Sequence, residues 1–244
     1  MNSNFLWLAF IVLISYTTQA MSGFGSTILA LTLGVHLYPI DVLLPVLVPL
    51  DMLVNLYIVV RHHRQINKTL LFRKILPAMG AGLVMGIVVF RLIQGTMLNK
   101  IFGFLVIILS ARELSGLLRN KIDHNVFSYI KSTSYIITAG FIHGIYASGG
   151  PMLIYALSKL NLPKAVFRST LAAVWLIFSA ILTASYIISG IFTIDSLKYI
   201  SLLLPLIITG ILLGERLHHR INEHTFKIFV FGVLLFAGVS IIIE

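Results

Sequence analysis

Long apolar stretches, separated by short polar or basic connections, make up most of the chain. Many of them approach the ~20 residues that an α-helix needs to cross about 30 Å of hydrocarbon. This pattern predicts an all-α polytopic membrane protein rather than a membrane barrel, whose strands alternate apolar and polar residues. The stretches cover Phe5–Leu37, Val42–Val60, Leu70–Phe90, Leu98–Leu118, Ser134–Leu157, Ala165–Ser189, Ser196–Gly214 and Thr225–Ile243.

The first and fifth stretches are predicted to be broken helices. The first is too long for one straight crossing and contains Gly23-Phe24-Gly25-Ser26, and the fifth contains Ser148-Gly149-Gly150-Pro151. Flexible glycines and a proline interrupt helices at such places. Each stretch is therefore expected to form a re-entrant or broken helix hairpin.

The spacing of these breaks indicates an internal repeat. Gly25 and Gly150 lie 125 positions apart, and two further sequence echoes follow in the same order. We therefore divide the chain into a first transmembrane repeat, residues 1–118, a cytoplasmic linker, residues 119–132, and a second repeat, residues 133–244. The echoes are Leu76-Pro77 with Gly82 and Gly86 against Leu204-Pro205 with Gly210 and Gly214, and Lys100-Ile101-Phe102 against Lys227-Ile228-Phe229.

The basic residues favour inverted repeats. If all eight stretches cross the membrane once, the two sides carry similar numbers of Lys and Arg. If the first and fifth are re-entrant, one side keeps only Arg91, Lys100 and Lys198 of the 18 basic residues, which is a positive-inside pattern. We therefore expect two inverted repeats in the plasma or inner membrane, each with three transmembrane helices and one hairpin, and both termini outside the cytoplasm.

Composition supports a membrane protein and excludes other classes. The chain is 58% hydrophobic and 11% charged, with a mean hydropathy of +1.00, far from soluble proteins. The net charge of +10 fits basic cytoplasmic loops, and no basic domain exists outside the spans to bind nucleic acid. Without cysteine there is no disulfide or thiolate ligand. No metal or other cofactor is predicted, because His62-His63 and His218-His219 with His224 fit solvated basic ends better than metal sites.

The paired breaks predict an anion site. Where a half-helix begins inside a membrane protein, unpaired N–H groups and the helix dipole favour a negative ligand. The predicted binding residues are Gly23, Gly25, Ser26 and Thr27 at the first break and Ser148, Gly149 and Gly150 at the second. The alternative is that glycines only permit close helix packing, and we prefer it for the pairs Gly82/Gly86, Gly140/Gly144 and Gly210/Gly214.

Three neighbouring residues, Arg168, Ser169 and Thr170, are further candidates for substrate binding. A guanidinium matches an oxyanion with two hydrogen bonds, and the hydroxyls can donate more. The alternative for Arg168 is an anchor that extends to the membrane interface.

Asp51 is the candidate for proton coupling, with Asn55 one helical turn later. A carboxylate at the bilayer centre costs about 2.5–3.5 kcal/mol, and such residues usually serve pathways or proton relays. The alternative is a hydrogen-bonded packing residue. Gln19, His143 and Tyr146 flank the breaks and are secondary binding candidates, with ordinary packing as the alternative.

Several of these segments resemble the sulfite exporter TauE/SafE family of membrane transporters. The resemblance lies in Gly23-Phe24-Gly25-Ser26, in Gly144 through Pro151, and in the segment from Lys164 to Thr170, and it extends over nearly the whole chain. It implies transport of a small sulfur-containing anion such as sulfite or an organosulfonate. The first break has Ser26 and Thr27 where the family often has a richer glycine run and a proline.

The sequence therefore predicts a secondary transporter that moves a small anion across the lipid bilayer by alternating access. An anion channel with the same helix-end site is the alternative. There is no G-x-x-x-x-G-K-[ST] phosphate loop for an ATP motor, and neither H-E-x-x-H nor G-x-S-x-G for an enzyme.

Overall fold

The computed structural model describes residues 3–22, 25–92, 96–118, 129–158, 160, 162–218 and 223–243, and no strand occurs in these ranges. Six helices are long and apolar enough to cross a membrane, which confirms the prediction of an all-α polytopic fold. The helices are α1 (Ser3–Ser22), α2 (Ser26–Gly34), α3 (Ile40–His62), α4 (Lys68–Leu70), α5 (Leu76–Leu92), α6 (Thr96–Leu118), α7 (Tyr129–Tyr146), α8 (Gly150–Ser158), α9 (Lys164–Ile188), α10 (Ile194–His218) and α11 (Glu223–Ile243). A 3-10 turn (His63–Gln65) follows α3, and a π-helical turn (Leu71–Ile75) joins α4 to α5.

Both predicted helix breaks are confirmed. α1 ends at Ser22 and α2 begins at Ser26, whereas α7 ends at Tyr146 and α8 begins at Gly150. Gly25 has a φ of 97°, a left-handed conformation that glycine adopts without strain. Most of the predicted linker 119–132 lies outside the described residues, and its last part is already helical from Tyr129.

The helices of the N-terminal half (α1–α6) and the C-terminal half (α7–α11) correspond in order and spacing. α2 and α3 begin at Ser26 and Ile40, and α8 and α9 begin 124 positions later at Gly150 and Lys164. The main packing partners lie in opposite halves. α1 packs extensively on α10, as α7 does on α5, while α3 packs on α9 and α6 on α11.

The contacts between α3 and α9 fix their relative direction. Asp51, in the middle of α3, is hydrogen-bonded to Ser179 of α9, and Asn67, just beyond α3, is hydrogen-bonded to Thr170 near the start of α9. The end of α3 therefore lies beside the beginning of α9, so these two corresponding helices are antiparallel.

Close packing explains the glycine pairs outside the breaks. An added Cβ at Gly82 or Gly140 would meet a backbone carbonyl oxygen of the opposite helix, and one at Gly214 would meet Thr17 and Ala20 of α1. Only glycine lets the two backbones approach so closely. The packing interpretation of these pairs is confirmed.

Candidate functional site

A small cavity lies where the two helix breaks meet. The space open to the centre of a water molecule is about 30 Å³, enough for roughly two waters at ~10–15 Å³ each. Both halves contribute to its wall, which therefore joins the two breaks into one site. The cavity is lined by Gln19, Gly25, Ser26, Thr27, Ile28, Asp51, His143, Ala147, Ser148, Gly150, Pro151 and Trp175.

Two short helices begin at this cavity. The first backbone hydrogen bonds of α2 and α8 run from Leu29 to the Gly25 carbonyl and from Leu153 to the Gly149 carbonyl. The amides before these donors have no partner within their own helix, and Gly25, the N-cap residue of α2, has no side chain that could accept from them. The cavity is therefore bordered by helix ends that carry partial positive charge.

Gly149 holds the start of α8 against α7. A Cβ at this position would collide with the carbonyl oxygen of Ala139 and would lie 3.0 Å from the Cβ of His143. Nearby, Ala147 has a φ of 51°, which is unusual for a residue other than glycine. The position of the α8 start thus depends on a tight turn that has no room for a side chain at residue 149.

Asp51 is the centre of a buried hydrogen-bond network. Its carboxylate accepts bonds from the Ser26 hydroxyl at 3.1 Å, the Ser179 hydroxyl at 3.0 Å and the Asn55 amide at 2.8 Å. Gln19 Nε2 in turn donates to Asn55 Oδ1 at 3.3 Å. The carboxyl group at the cavity therefore links α1, α2, α3 and α9.

The corresponding positions of the C-terminal half form the opposite wall. His143 and Trp175 stand 124 positions after Gln19 and Asp51, and all four residues line the cavity. The His143 and Trp175 rings are stacked with their centroids 5.3 Å apart and their planes at 28°. One wall is thus acidic and hydrogen-bonded, while the other is aromatic.

Arg168, Ser169 and Thr170 are not among the described residues that line this cavity. The Arg168 guanidinium donates to the Ala20 carbonyl at 3.0 Å, and that carbonyl belongs to the last turn of α1, where no helical donor remains. Ser169 donates to Gln65 Oε1 at 3.4 Å, and Thr170 Oγ1 accepts from the Asn67 amide at 3.0 Å. These contacts join the start of α9 to α1 and to the connection after α3, and we call them the α9 cluster.

A larger cavity occupies the opposite end of α3 and α9. Its volume is about 1030 Å³. Its wall contains Val46, Ser189 and Ile191, whose counterparts 124 positions away are Thr170, Gln65 and Asn67 of the α9 cluster. These three residues therefore border an open space, whereas their three counterparts are hydrogen-bonded in the α9 cluster. The wall consists of Pro39, Ile40, Asp41, Val42, Val46, Phe90, Arg91, Leu98, Asn99, Ser189, Gly190, Ile191, Thr193, Asp195, Ser196 and Tyr199.

The remaining predicted residues lie either away from the small cavity or outside the described residues. Tyr146 is buried near the second break, where its hydroxyl donates to the Leu98 carbonyl at 3.0 Å rather than lining the small cavity. Gly23 lies outside the described residues, as do His219 and the side chains of His218 and His224. Among the residues described, no group of three or more His, Cys, Asp or Glu side chains could hold a metal ion.

Sequence reasoning missed Trp175 and Ser179. Both lie in an apolar stretch of α9, where an isolated Trp or Ser is unremarkable. The internal repeat could have indicated them, because these residues follow Asp51 and Asn55 by 124 positions.

Comparison with known proteins adds one finding. A protein-family model described as "Sulfite exporter TauE/SafE" matches residues 8–241. No curated protein and no solved structure matches the chain.

Proposed function

The chain belongs to the sulfite exporter TauE/SafE family, and we propose that it is a secondary transporter that carries a small sulfur-containing anion by alternating access. Members of this family are membrane transporters and not enzymes. The protein is accordingly a multi-pass membrane protein. The observation that carries the proposal is the single cavity at which α2 and α8 both begin.

Sulfite or an organosulfonate is the proposed substrate. Helix N-termini favour anions because their amides and dipoles present partial positive charge. The proposed contacts are those predicted from the sequence, namely Gly23, Gly25, Ser26, Thr27, Ser148, Gly149 and Gly150, with Gln19 and His143 beside them. Direct binding by Arg168, Ser169 and Thr170 stays a prediction, because in this conformation they bond to Ala20, Gln65 and Asn67.

We further propose that the two halves are inverted repeats. In this proposal the protein lies in the plasma or inner membrane, with both termini outside the cytoplasm. Three observations support this arrangement: the equal spacing of α2 from α8 and of α3 from α9, the packing of each half on the other, and the antiparallel α3 and α9. Under this topology Arg91, in the wall of the larger cavity, faces outward, and the α9 cluster faces the cytoplasm.

Alternating access is supported by the difference between the two ends of α3 and α9. Three hydrogen bonds join the helices at the α9 cluster, whereas three of the corresponding positions, Val46, Ser189 and Ile191, line the larger cavity at the other end. In an inverted-repeat transporter, exchanging the conformations of the two halves would close the open end and open the closed end. The same cavity would then be reached from each side in turn.

Asp51 is the proposed coupling group. Of the described residues that line the small cavity, none is Lys or Arg, so an ionised Asp51 would repel a bound anion. Two like charges 4 Å apart cost roughly 4 kcal/mol at an effective dielectric constant of 20. A proton that enters with the anion and neutralises Asp51 would remove this repulsion, which favours proton coupling.

Flux measurements on purified protein in sealed proteoliposomes test the proposal. We expect sulfite uptake that saturates with concentration and accelerates when a pH gradient is imposed. An anion channel with the same site would instead conduct without saturation at low concentrations and would ignore the pH gradient at fixed membrane potential. Failure of sulfite, sulfate, thiosulfate and sulfonates alike to bind or move would refute the proposed substrate class.

A further inference from the structure

Several polar atoms at the small cavity have no hydrogen-bond partner in the part of the chain that the structure describes. Among the described residues that line it, the buried atoms without a hydrogen bond are Gln19 Oε1, both ring nitrogens of His143 and Trp175 Nε1. An orphaned buried polar group costs about as much as a lost hydrogen bond, so such groups usually have a bound partner. The orphaned atoms thus indicate that the cavity has an occupant.

Trp175 is the most specific of these groups. The side chain is 5% exposed, and its indole N–H can only donate a hydrogen bond. The other two residues are ambiguous, because a histidine nitrogen donates or accepts according to its tautomer and an amide can be turned over. An indole N–H requires an acceptor, and an oxyanion presents several acceptor oxygens.

The surrounding structure fixes the indole ring. His143 stacks on it at 5.3 Å, and Phe178 packs edge-on against His143 at 6.3 Å. Trp175 stands 124 positions after Asp51, and both residues line the cavity. A donor held in this way loses little freedom when a ligand arrives.

We propose that Trp175 is a substrate-binding residue whose indole N–H donates a hydrogen bond to an oxygen of the transported anion. This inference rests on the proposed function, since it assigns a contact within the same site. It also identifies the substrate class more closely. A ligand at this cavity needs acceptor oxygens, because the Trp175 N–H can only donate and the hydroxyls of Ser26, Thr27 and Ser148 line the same space.

The chain offers a matched control, because it contains only two tryptophans. Trp7 is 57% exposed on α1 and stands against Phe10, away from the cavity. Trp7→Phe therefore removes an indole without touching the site, and the remaining tryptophan fluorescence of that variant comes from Trp175 alone. Trp175→Phe keeps an aromatic ring for His143 to stack on and removes only the N–H and part of the ring.

Sulfite binding is measured by calorimetry on purified protein and by fluorescence in the Trp7→Phe variant, with N-acetyltryptophanamide as the correction for collisional quenching. We expect Trp7→Phe to bind like the wild type and its emission to change with the same dissociation constant. Trp175→Phe should bind sulfite about 10- to 100-fold more weakly, the range for losing a hydrogen bond to a charged group.

Two results would overturn the assignment. Trp175→Phe could bind sulfite as tightly as the wild type, or, should that variant fail to fold, the emission of Trp7→Phe could stay unchanged while calorimetry records binding. Failure of the wild type to bind sulfite, sulfate, thiosulfate and sulfonates alike is a different result, which would overturn the proposed function and this contact with it.

Discussion

Replacing Arg168 by alanine separates two roles that the residue could have. In the structure its guanidinium donates to the Ala20 carbonyl at 3.0 Å, at the C-terminal end of α1. A hydrogen bond to a charged group contributes about 1.5–3 kcal/mol. If the α9 cluster holds one end of the protein closed, Arg168→Ala should shift the balance towards the state open at that end by roughly 10- to 100-fold.

The absence of cysteine makes this shift measurable. A single cysteine introduced at Thr27, which lines the small cavity and is 6% exposed, is labelled only when a path to the cavity exists. A membrane-impermeant maleimide added on the side of the α9 cluster should label Thr27→Cys at least tenfold faster when Arg168→Ala is also present. Arg216→Ala, at an exposed position of α10, is the matched control and should leave the rate unchanged.

The anion affinity decides between the roles. A residue that only holds the closed end should leave sulfite binding within a few-fold of the wild type. A residue that contacts the anion directly, as predicted from its chemistry, should lose most of the binding on truncation. Lost affinity with an unchanged labelling rate would refute the closing role and support the direct contact.

Two further substitutions test other parts of the site. Gly149→Ala should destabilise the protein by about 1–3 kcal/mol in thermal unfolding and weaken sulfite binding at least tenfold, because its Cβ would collide with the Ala139 carbonyl and displace the start of α8. The control is Gly232→Ala, in a helix with open space around this position, which should stabilise the protein by up to about 1 kcal/mol. Equal behaviour of the two variants would contradict the packing argument. Asp51→Asn should abolish acceleration of uptake by a pH gradient while sparing sulfite binding, with Glu113→Gln of α6 as the control, and uptake that still follows the pH gradient would exclude Asp51 as the coupling group.

Local pattern was sufficient to predict the helices and their breaks. The length of an apolar segment determines whether it can cross a membrane. Clustered glycine and proline within such a segment interrupt the helix at that place, whatever the rest of the chain does. The breaks at Gly25 and Gly150 were therefore predictable from neighbouring residues alone. The close approach at Gly140 was predictable for the same reason, because small residues four apart permit it.

The partners of the polar residues were not predictable in this way. The hydroxyl that Asp51 binds on α9 belongs to Ser179, 128 positions away, and the carbonyl that Arg168 binds is 148 positions away. Chemistry suggests that an arginine could bind an oxyanion, but a free carbonyl at a helix end satisfies the same donors. Which of the two lies within reach depends on the packing of whole helices, and no local pattern contains that information.

The repeat places a constraint on the cavity that it does not place elsewhere. If the halves are inverted repeats as proposed, Asp51 and Trp175 are equivalent positions at one cavity, so identical halves would put either two carboxylates or two indoles around the proposed anion. Two carboxylates would repel the anion and each other, and two indoles would leave no group to carry a proton. With Asp51 in one half and Trp175 in the other, the same pair of positions supplies a group that can be neutralised and a donor that stays neutral. The proposed proton-coupled transport therefore requires the halves to differ at this pair of positions, even where helix packing keeps them alike.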